Sequence, residues 1–384
     1  MQIFRGQNME SVTDPKLLEK RLFFRLGQFT FDHKKSVVIS GLIFCILLAS
    51  LGAKGPNWAE SWGVGDLESV EAFSIRNEVF PEAGQGFVYI VHHDDLHHND
   101  TLWQESVQEA LSDFENHESV TVEYSWQVYD ENSTTPEINM VFVDDDGSMW
   151  TRNVIKIDLD RKDAKVLYTE LEDTIKIGDD FEGWKTDGTS IEATFDSKIQ
   201  EDLITAELIS GPLSLIILVL VFGTVVAALL PIGIAVFTVA AAAGVTIWLS
   251  HITDVTQYSL NIITLIGIGV SIDYSLFMAY RFREELSRGR DVKTATSMTV
   301  ATAGKAVFFS GITVAIGLMG MLFFTNTGLP SLGIGGTLSV SIAMVYSLLI
   351  LPAILATLGE RINSIKVPFS FSIENSDGEG IWSK

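Results

Sequence analysis

The stretch GIGVSIDYSLFMAYRFREEL, residues 267–286, places one aspartate, Asp273, in a run that is otherwise free of charge up to Tyr280. Extended back to Ser259, this run has the length of a membrane-crossing helix, which needs about 20 predominantly apolar residues to pass ~30 Å of hydrocarbon. We therefore predict a transmembrane helix over residues 259–280, with a carboxylate past its middle. That carboxylate needs an explanation, because hydrocarbon does not solvate charge.

Five further apolar runs are long enough to cross a membrane. One covers Ser36–Ala53, a block at 208–250 holds two with a break near Gly223 and Pro231, and the last two cover Ala303–Phe324 and Leu329–Leu358. The predicted fold class is a polytopic α-helical membrane protein with six transmembrane helices, which we call spans one to six. The predicted parts are a cytoplasmic amphipathic segment at 1–35, span one at 36–53, an extracytoplasmic α+β domain at 54–205, spans two to six at 208–358, and a cytoplasmic tail or linker at 359–384.

Charge is divided between these parts. The chain combines 47% hydrophobic residues with a formal net charge of −23, which is unlike a single soluble domain. Residues 54–205 hold 35 of the 49 acidic and 10 of the 26 basic side chains, so they carry −25. The other 16 basic residues lie before span one, between spans four and five, or after span six. By the positive-inside rule, both termini are predicted to be cytoplasmic and residues 54–205 extracytoplasmic.

The segment before span one is basic and amphipathic. LLEKRLFFRLGQFTFDHKK, residues 17–35, precedes a span that begins too late for a cleavable signal peptide and shows no clear small-residue cleavage site. We expect this segment to lie along the inner membrane surface, with a disordered basic tail as the alternative. The single cysteine, Cys45, lies inside span one, so the outer domain must be held by an ordinary core.

The outer domain reads as alternating strands and helices. A helical pattern at 69–79 comes first. Strands are predicted at 86–93 and 119–128, a hairpin at 137–157 with its turn at Asp146-Gly147, and a last strand at 184–191. Helices are predicted at 101–116, with Leu102, Val107, Leu111 and Phe114 on one face, and at 163–177. With the hairpin counted as one element, the order β-α-β-β-α-β is that of a ferredoxin-like unit.

HHDDLHH, residues 92–98, allows a metal site, but its spacing fixes no tetrahedral set, and we interpret it as a solvated turn.

The acidic surface of the domain resembles that of proteins that work in high salt, where such charge is screened. An acidic domain that binds cations or simply stays soluble is the alternative.

Asp273 is the candidate functional residue. An aspartate at the centre of a transmembrane helix costs about 2.5–3.5 kcal/mol on insertion scales, so it needs a partner or a task. Low polarity favours the neutral carboxyl group, which lets the residue bind and release a proton. Tyr274 adds a hydroxyl, Gly267 and Gly269 let a neighbouring helix approach, and Ser310 and Thr313 of span five could face the carboxylate. The alternative is a structural aspartate–serine hydrogen bond between helices.

The motifs also carry a family resemblance. Residues 267–286, TVATAGKAVFFSGITVAIGL at 299–318 and LSVSIAMVYSLLILPAILATLGERI at 338–362 resemble the amino-terminal repeat of the RND (resistance-nodulation-division) superfamily, MmpL-type branch. The resemblance implies export of lipids or other amphiphiles driven by the proton-motive force. It also implies that Asp273 and Tyr274 form the proton relay with Ser310 nearby, and that the outer region is a porter-type domain on the substrate path.

The resemblance also sets the expected partners. Full members of the superfamily have two such repeats, so we expect either the amino-terminal half of a longer protein or a half-size member that pairs with a second copy. Coupling to protons or to sodium stays open. We expect no cofactor, no metal and no nucleic acid.

Other classes remain as alternatives. A Patched-like lipid sensor or receptor and a protein-export accessory factor share the six-span arrangement. An intramembrane aspartyl protease is disfavoured, because that chemistry needs two carboxylates and Asp273 is the only acidic residue inside a predicted span.

Overall fold

A computed structural model of the chain describes residues 22–59, 75, 85–128, 140–145, 147–324 and 327–367. The helical pattern predicted at 69–79 lies, apart from Ile75, outside the described residues. The chain divides into two compact units, which are taken separately below. One unit is Leu67–Ala206, and the other combines Met1–Asp66 with Glu207–Lys384.

Six helices among the described residues are long and apolar enough to cross a membrane, which confirms the prediction of six spans. The second of the two units, which we call the membrane unit, holds five of them, and the helix Gly188–Phe222 begins in the first unit and ends in the second. By length and composition the six helices are Lys34–Lys54, Gly188–Phe222, Val225–Leu249, Tyr258–Ser287, Val292–Phe323 and Leu329–Asn363, and these bounds now define spans one to six. Helix α1, Leu22–Asp32, precedes them, and α2, Lys34–Ser50, ends in a 3₁₀ turn at Leu51–Lys54. The chain is therefore a multi-pass membrane protein.

The outer unit is an antiparallel sheet covered by helices. Its elements in chain order are β1 Gln85–His93, α3 Thr101–Glu115, β2 Val120–Glu123, α4 Ser125–Val128, β3 Val141–Val143, β4 Met149–Ile157, α5 Arg161–Leu171 and β5 Glu182–Thr186. The strand order is β2-β4-β1-β5, and β3 pairs with β4. All pairs are antiparallel, with Phe87 opposite Ile155 and Tyr89 opposite Lys185.

The core of the outer unit lies between one face of this sheet and helices α3 and α5. Trp103, Phe114 and Tyr168 are fully buried there, together with Phe87 and Tyr89 of β1. Burial raises the pKa of Tyr89 and that of Tyr168 to about 12, as expected for phenols removed from water. No disulfide contributes to this core, since the one cysteine of the chain lies in span one.

Three local predictions in this unit were wrong. Leu102 is 58% exposed, and its neighbour Trp103 packs in the core instead. The strand predicted at 119–128 ends at Glu123, because the backbone N–H of Ser125 donates to Asn153 Oδ1 and a helical turn follows. The strand predicted at 184–191 ends at Thr186, because the chain turns at Asp187 with φ 72° and a helix begins at Gly188.

The membrane helices, in chain order, continue the numbering. They are α6 Gly188–Phe222, α7 Val225–Leu249, α8 Tyr258–Ser287, α9 Val292–Thr299, α10 Lys305–Met319, α11 Leu329–Val345 and α12 Leu351–Leu358. Span five joins α9 to α10 through a π-helical turn at Val300–Gly304, and span six joins α11 to α12 through another at Tyr346–Ile350. Such turns occur mostly as single insertions, often at functional sites.

Spans two and three separate at Gly223, as predicted, but Pro231 does not break span three. Gly223 adopts φ 67°, a conformation that glycine takes without a steric penalty. Pro231 is buried inside α7, where neighbouring helices tolerate the missing backbone hydrogen bond. The turn is tied to the chain after span six, since Val225 N donates to Ile365 O and Val367 N to Gly223 O.

Candidate functional site

Span four has two different faces. Five positions spaced by four, four, four and three residues are exposed, and they are Leu265, Gly269, Asp273, Phe277 and Tyr280. Five positions spaced by four residues are buried, and they are Ser259, Ile263, Gly267, Ser271 and Ser275. Residues four apart share a helix face, whereas residues two apart are separated by about 200° around the axis. We call the first set the open face and the second the closed face.

The closed face packs on span six through small and hydroxyl side chains. Ser259 Oγ donates to Ser331 O at 2.8 Å, and Ser339 Oγ donates to Ile263 O at 3.3 Å. A Cβ added at Gly267 would overlap Ser339 Oγ, so a larger residue there would push this hydroxyl away from Ile263 O. Close approach of two helices at small residues is the usual way in which membrane helices associate. Gly267 therefore supports a helix contact on the side opposite Asp273.

The open face carries Asp273 without cover from the described residues. Asp273 is exposed and forms no hydrogen bond or ion pair with any residue that the structure describes. Gly269, one turn earlier, would have no atom within 4 Å of an added Cβ. Gly269 can therefore act as a packing position only if a helix outside the described residues contacts it.

Span five presents Ser310 and Thr313 on exposed positions of α10. Thr313 Oγ1 donates to Phe309 O of its own helix at 2.9 Å. Ser310 and Asp273 are both exposed, but no hydrogen bond joins them among the described residues.

Tyr274 turns into the bundle beside the carboxylate. It is buried, and its hydroxyl has no hydrogen-bond partner among the described residues. The same holds for the hydroxyls of Ser271, Ser275 and Ser347, all fully buried or nearly so. A buried polar group without a partner costs about 1–3 kcal/mol, so such groups in native proteins need a reason. Ser275 and Ser347 were not predicted as site residues, because a serine in an apolar run looks the same on either face.

The carboxy-terminal end of span four, which we call its inner end after the predicted orientation, is held by charged residues. Glu285 is fully buried, forms an ion pair with Arg281 Nη2 at 2.5 Å, and accepts hydrogen bonds from Arg288 and Arg290. Arg283, also buried, donates to Phe222 O at 2.5 Å and to Asn363 Oδ1 at 2.7 Å. Arg283 thus ties span four to the inner ends of spans two and six. Sequence reasoning used these residues for the charge count and for the family resemblance, and it missed their contacts.

The outer unit carries an aromatic row on the sheet face that turns away from α3 and α5. Phe142, Trp150, His92 and Glu182 are cross-strand neighbours on β3, β4, β1 and β5. Trp184 stacks on Trp150 with ring centroids 5.3 Å apart, and Phe142 is 63% exposed. Exposed apolar patches of this kind mark contact surfaces in proteins.

The HHDDLHH segment forms the turn after β1. His93 Nδ1 accepts hydrogen bonds from the backbone N–H groups of Asp95 at 3.0 Å and Leu96 at 3.1 Å. The ring of His92 lies against Trp150, with centroids 4.2 Å apart. In the described part of the chain, no three His, Cys, Asp or Glu side chains are placed to hold a metal ion together.

Comparisons with known proteins show the family to which the chain is similar. A model of the MMPL family matches residues 61–368. Over 314 residues, 79% of the chain, the sequence is 31% identical to the trehalose monomycolate exporter MmpL3 of Mycolicibacterium smegmatis. Over 169 residues, 44% of the chain, it is 43% identical to the putative membrane protein SCO6666 of Streptomyces coelicolor. Over 161 residues, 42% of the chain, it is 39% identical to the mycolic acid-containing lipids exporter MmpL11 of Mycolicibacterium smegmatis. These matches span 31%, 24% and 17% of the three relatives, less than a third of each.

Proposed function

The chain belongs to the MMPL family, and from that membership we propose that it forms one six-span unit of an exporter of lipids or other amphiphiles, driven by the proton-motive force. The observation that carries the proposal is the position of Asp273, a carboxylate on an open and otherwise uncharged face of a membrane-spanning helix. Intramembrane carboxylates are rare and mark ion pathways by default.

In this proposal, Asp273 binds the transported proton. The neutral acid is tolerated on an apolar face, whereas the ionised form needs water or a cation. Cycling between the two forms therefore changes what the open face can contact. The Tyr274 hydroxyl and Ser310 are the groups proposed to pass the proton to or from the carboxylate.

The open face is proposed as the contact with a second six-span unit, either in the same polypeptide or in another copy. Three apolar side chains of this face, Leu265, Phe277 and Tyr280, are 41–55% exposed in the chain by itself. Gly269 lies between them and would admit a close helix. A partner helix there would enclose Asp273 and give the carboxylate the dry surroundings that proton binding requires.

The outer unit is proposed as a ferredoxin-like porter domain on the extracytoplasmic side. Its strand order with two helices on one face supports the first part. The basic residues at the inner end of span four support the second, because cytoplasmic ends of membrane helices collect Arg and Lys. In this arrangement the amphiphile leaves through the outer unit.

The names of the relatives support export more than they support the alternative functions. MmpL3 is named as an exporter of trehalose monomycolate, and MmpL11 is named as an exporter of mycolic acid-containing lipids. A Patched-like sensor, a protein-export accessory factor or an enzyme finds no comparable support. The head group and chain length of the lipid are not part of the proposal.

The test compares Asp273→Asn with Asp254→Asn, a matched change at an exposed carboxylate just before span four. The full chain is reconstituted into vesicles that contain a pH-sensitive dye, and proton flux is followed under an imposed pH gradient. We expect Asp273→Asn to lower the flux to the background of empty vesicles, with wild-type folding, and Asp254→Asn to retain it. Normal flux in Asp273→Asn would refute the relay, and flux driven by a sodium gradient at constant pH would refute proton coupling.

A further inference from the structure

Spans four and six lie side by side in a constant register. Ser259 Oγ donates to Ser331 O at 2.8 Å. Further along, a Cβ added at Gly267 would overlap Ser339 Oγ. In both contacts the residue on span six comes 72 positions after its partner on span four. Because the numbers rise together, the two helices are parallel, and the equal rise per residue keeps this offset along the pair.

The same register brings two buried serines together about two turns further along. It places Ser347, in the π-helical turn Tyr346–Ile350, opposite Ser275, and this turn contacts span four. Both serines are fully buried, and neither hydroxyl has a hydrogen-bond partner among the described residues. A serine in a helix can satisfy its hydroxyl on the same helix, as Ser297 does by donating to Lys293 O at 2.8 Å. The two serines between spans four and six do not.

Protein encloses this pair of serines in both directions along the helices. Towards the start of span four lies the close contact of Gly267 with Ser339. Towards its end, Met278, Phe282 and Leu351 are fully buried and apolar. Enclosed polar sites of this kind hold ordered water in folded proteins, and each water makes about three hydrogen bonds to buried groups that have no other partner. The two serine hydroxyls can supply two of these bonds.

A third hydroxyl belongs to Tyr274, the tyrosine of the proposed relay. Tyr274 precedes Ser275 in the chain, is buried, and has no hydrogen-bond partner for its hydroxyl among the described residues. The register places it opposite Tyr346, in the same turn of span six as Ser347. We propose that Ser275 and Ser347 bind ordered water between spans four and six, and that this water is hydrogen-bonded to the Tyr274 hydroxyl.

The water site follows from the packing of the two helices, whereas its role rests on the proposed function. In that function the Tyr274 hydroxyl has to be oriented before it can pass a proton. A hydrogen bond from an ordered water is nearly as good as a direct one, so the water fixes this orientation from the side of span six. Ser275 and Ser347 are therefore positioning residues that act through Tyr274.

Radiolytic labelling tests for the water directly. X-rays split water into hydroxyl radicals, which oxidise the side chains beside an ordered water even where bulk solvent does not reach. The purified full chain is irradiated in heavy-oxygen water, and mass spectrometry gives the oxidation rate of each tyrosine. We expect Tyr274 to be oxidised about fivefold faster than Tyr89, which is also buried but packs in the core of the outer unit. Equal rates would overturn the proposal without the need for a variant.

Three serine variants locate the water. Ser275→Ala and Ser347→Ala should each lower the labelling of Tyr274 about threefold, because each removes a hydroxyl that holds the water. Ser259→Ala is the matched control, since it removes an equally buried hydroxyl of the same helix that already donates to Ser331 O. It should leave the labelling unchanged, and equal labelling in all three variants would also overturn the proposal.

Proton flux separates this inference from the proposed function. Asp273→Asn should lose the flux and keep the labelling of Tyr274, because both serines stay in place. Ser275→Ala should lower the flux about threefold with wild-type folding. Wild-type flux in Ser275→Ala would refute the positioning role. Labelling that depends on the two serines, in a chain that conducts no protons, would support the water site and refute the proposed function.

Discussion

The two faces of span four contain similar small residues, but the closed face packs against other helices and the open face does not. The closed face places Ser259 and Gly267 against span six and buries two further serines, and its small side chains let the two helices touch. The open face places Gly269 beside Asp273, and nothing among the described residues covers either. One face is determined by packing within the chain, and the other is left with groups that destabilise an isolated helix in hydrocarbon.

The difference shows where packing ends and function begins in this helix. A glycine against a neighbouring backbone is explained by the contact it makes. A glycine and an aspartate on this uncovered face have no such explanation among the described residues, so we attribute their role to a partner or to a transported ion. Variants matched across the two faces can therefore test which description applies.

The largest effect is expected at the inner end of the closed face, from Glu285→Gln. Glu285 is fully buried, whereas the side chains of its partners Arg281, Arg288 and Arg290 are 17–41% exposed. Because water solvates these arginines in part, the loss should fall between the ~1 kcal/mol of an exposed pair and the ~3–5 kcal/mol of a fully buried one. Unfolding of the purified chain in detergent should show this loss of stability.

Glu284→Gln is the control for this prediction. Glu284 lies next to Glu285, is 28% exposed and pairs with Arg281 and Arg288. Exposed pairs contribute about 0–1 kcal/mol, so the change should be small. Equal stability of the two variants would contradict the prediction. It would mean that the charged residues at the inner end of span four do not add to the packing of the closed face.

The next largest effect is a difference in stability between the variants Gly267→Ala and Gly269→Ala. At Gly267 the new methyl group overlaps Ser339 Oγ, and overpacking of this kind costs about 1–3 kcal/mol. At Gly269 the methyl group meets no described atom, and alanine favours the helix over glycine by up to about 1 kcal/mol. Thermal unfolding of the two variants should therefore move in opposite directions, and a loss of stability at both positions would mean that both faces are packed within the chain.

The comparison also explains which parts of the structure the sequence could predict. All six spans follow from hydrocarbon thickness, since an apolar run of about 20 residues has few other uses. The closed face could not be predicted, because span four is apolar all round and has no polar side to orient it. The same reason hid Ser275, which the sequence does not distinguish from an exposed serine although it is fully buried.

The local errors have related causes. Leu102 and Trp103 are adjacent apolar residues at the start of α3, and the helical period alone does not decide which of them faces the sheet. Pro231 stops helices in water but is tolerated in a membrane bundle. The contacts of Arg283 join residues 61 and 80 positions away, and no local pattern reports such distances.

The smallest expected effect lies at the start of α9, which packs beside the inner end of span four. Asp291 caps this helix, since its Oδ2 accepts hydrogen bonds from the backbone N–H groups of Lys293 at 3.1 Å and Thr294 at 3.2 Å. Hydrogen bonding by the Thr294 side chain, and then by backbone N–H groups, lowers the pKa of Asp291. Asp291→Ala should therefore destabilise the chain by about 0.5–2 kcal/mol near neutral pH.

The sign of the pH dependence follows from the direction of that shift. Because the folded state holds the carboxylate in its charged form, the stabilisation is fully present above the ordinary pKa of 3.8 and is lost as the pH falls through the lower folded value. The difference in unfolding midpoint between the wild type and Asp291→Ala should then be constant from pH 7 to 5 and shrink below about pH 4. A difference that grew on acidification would show that the carboxylate acts through something other than its cap, and would leave the inner end of span four supported by the Glu285 cluster alone.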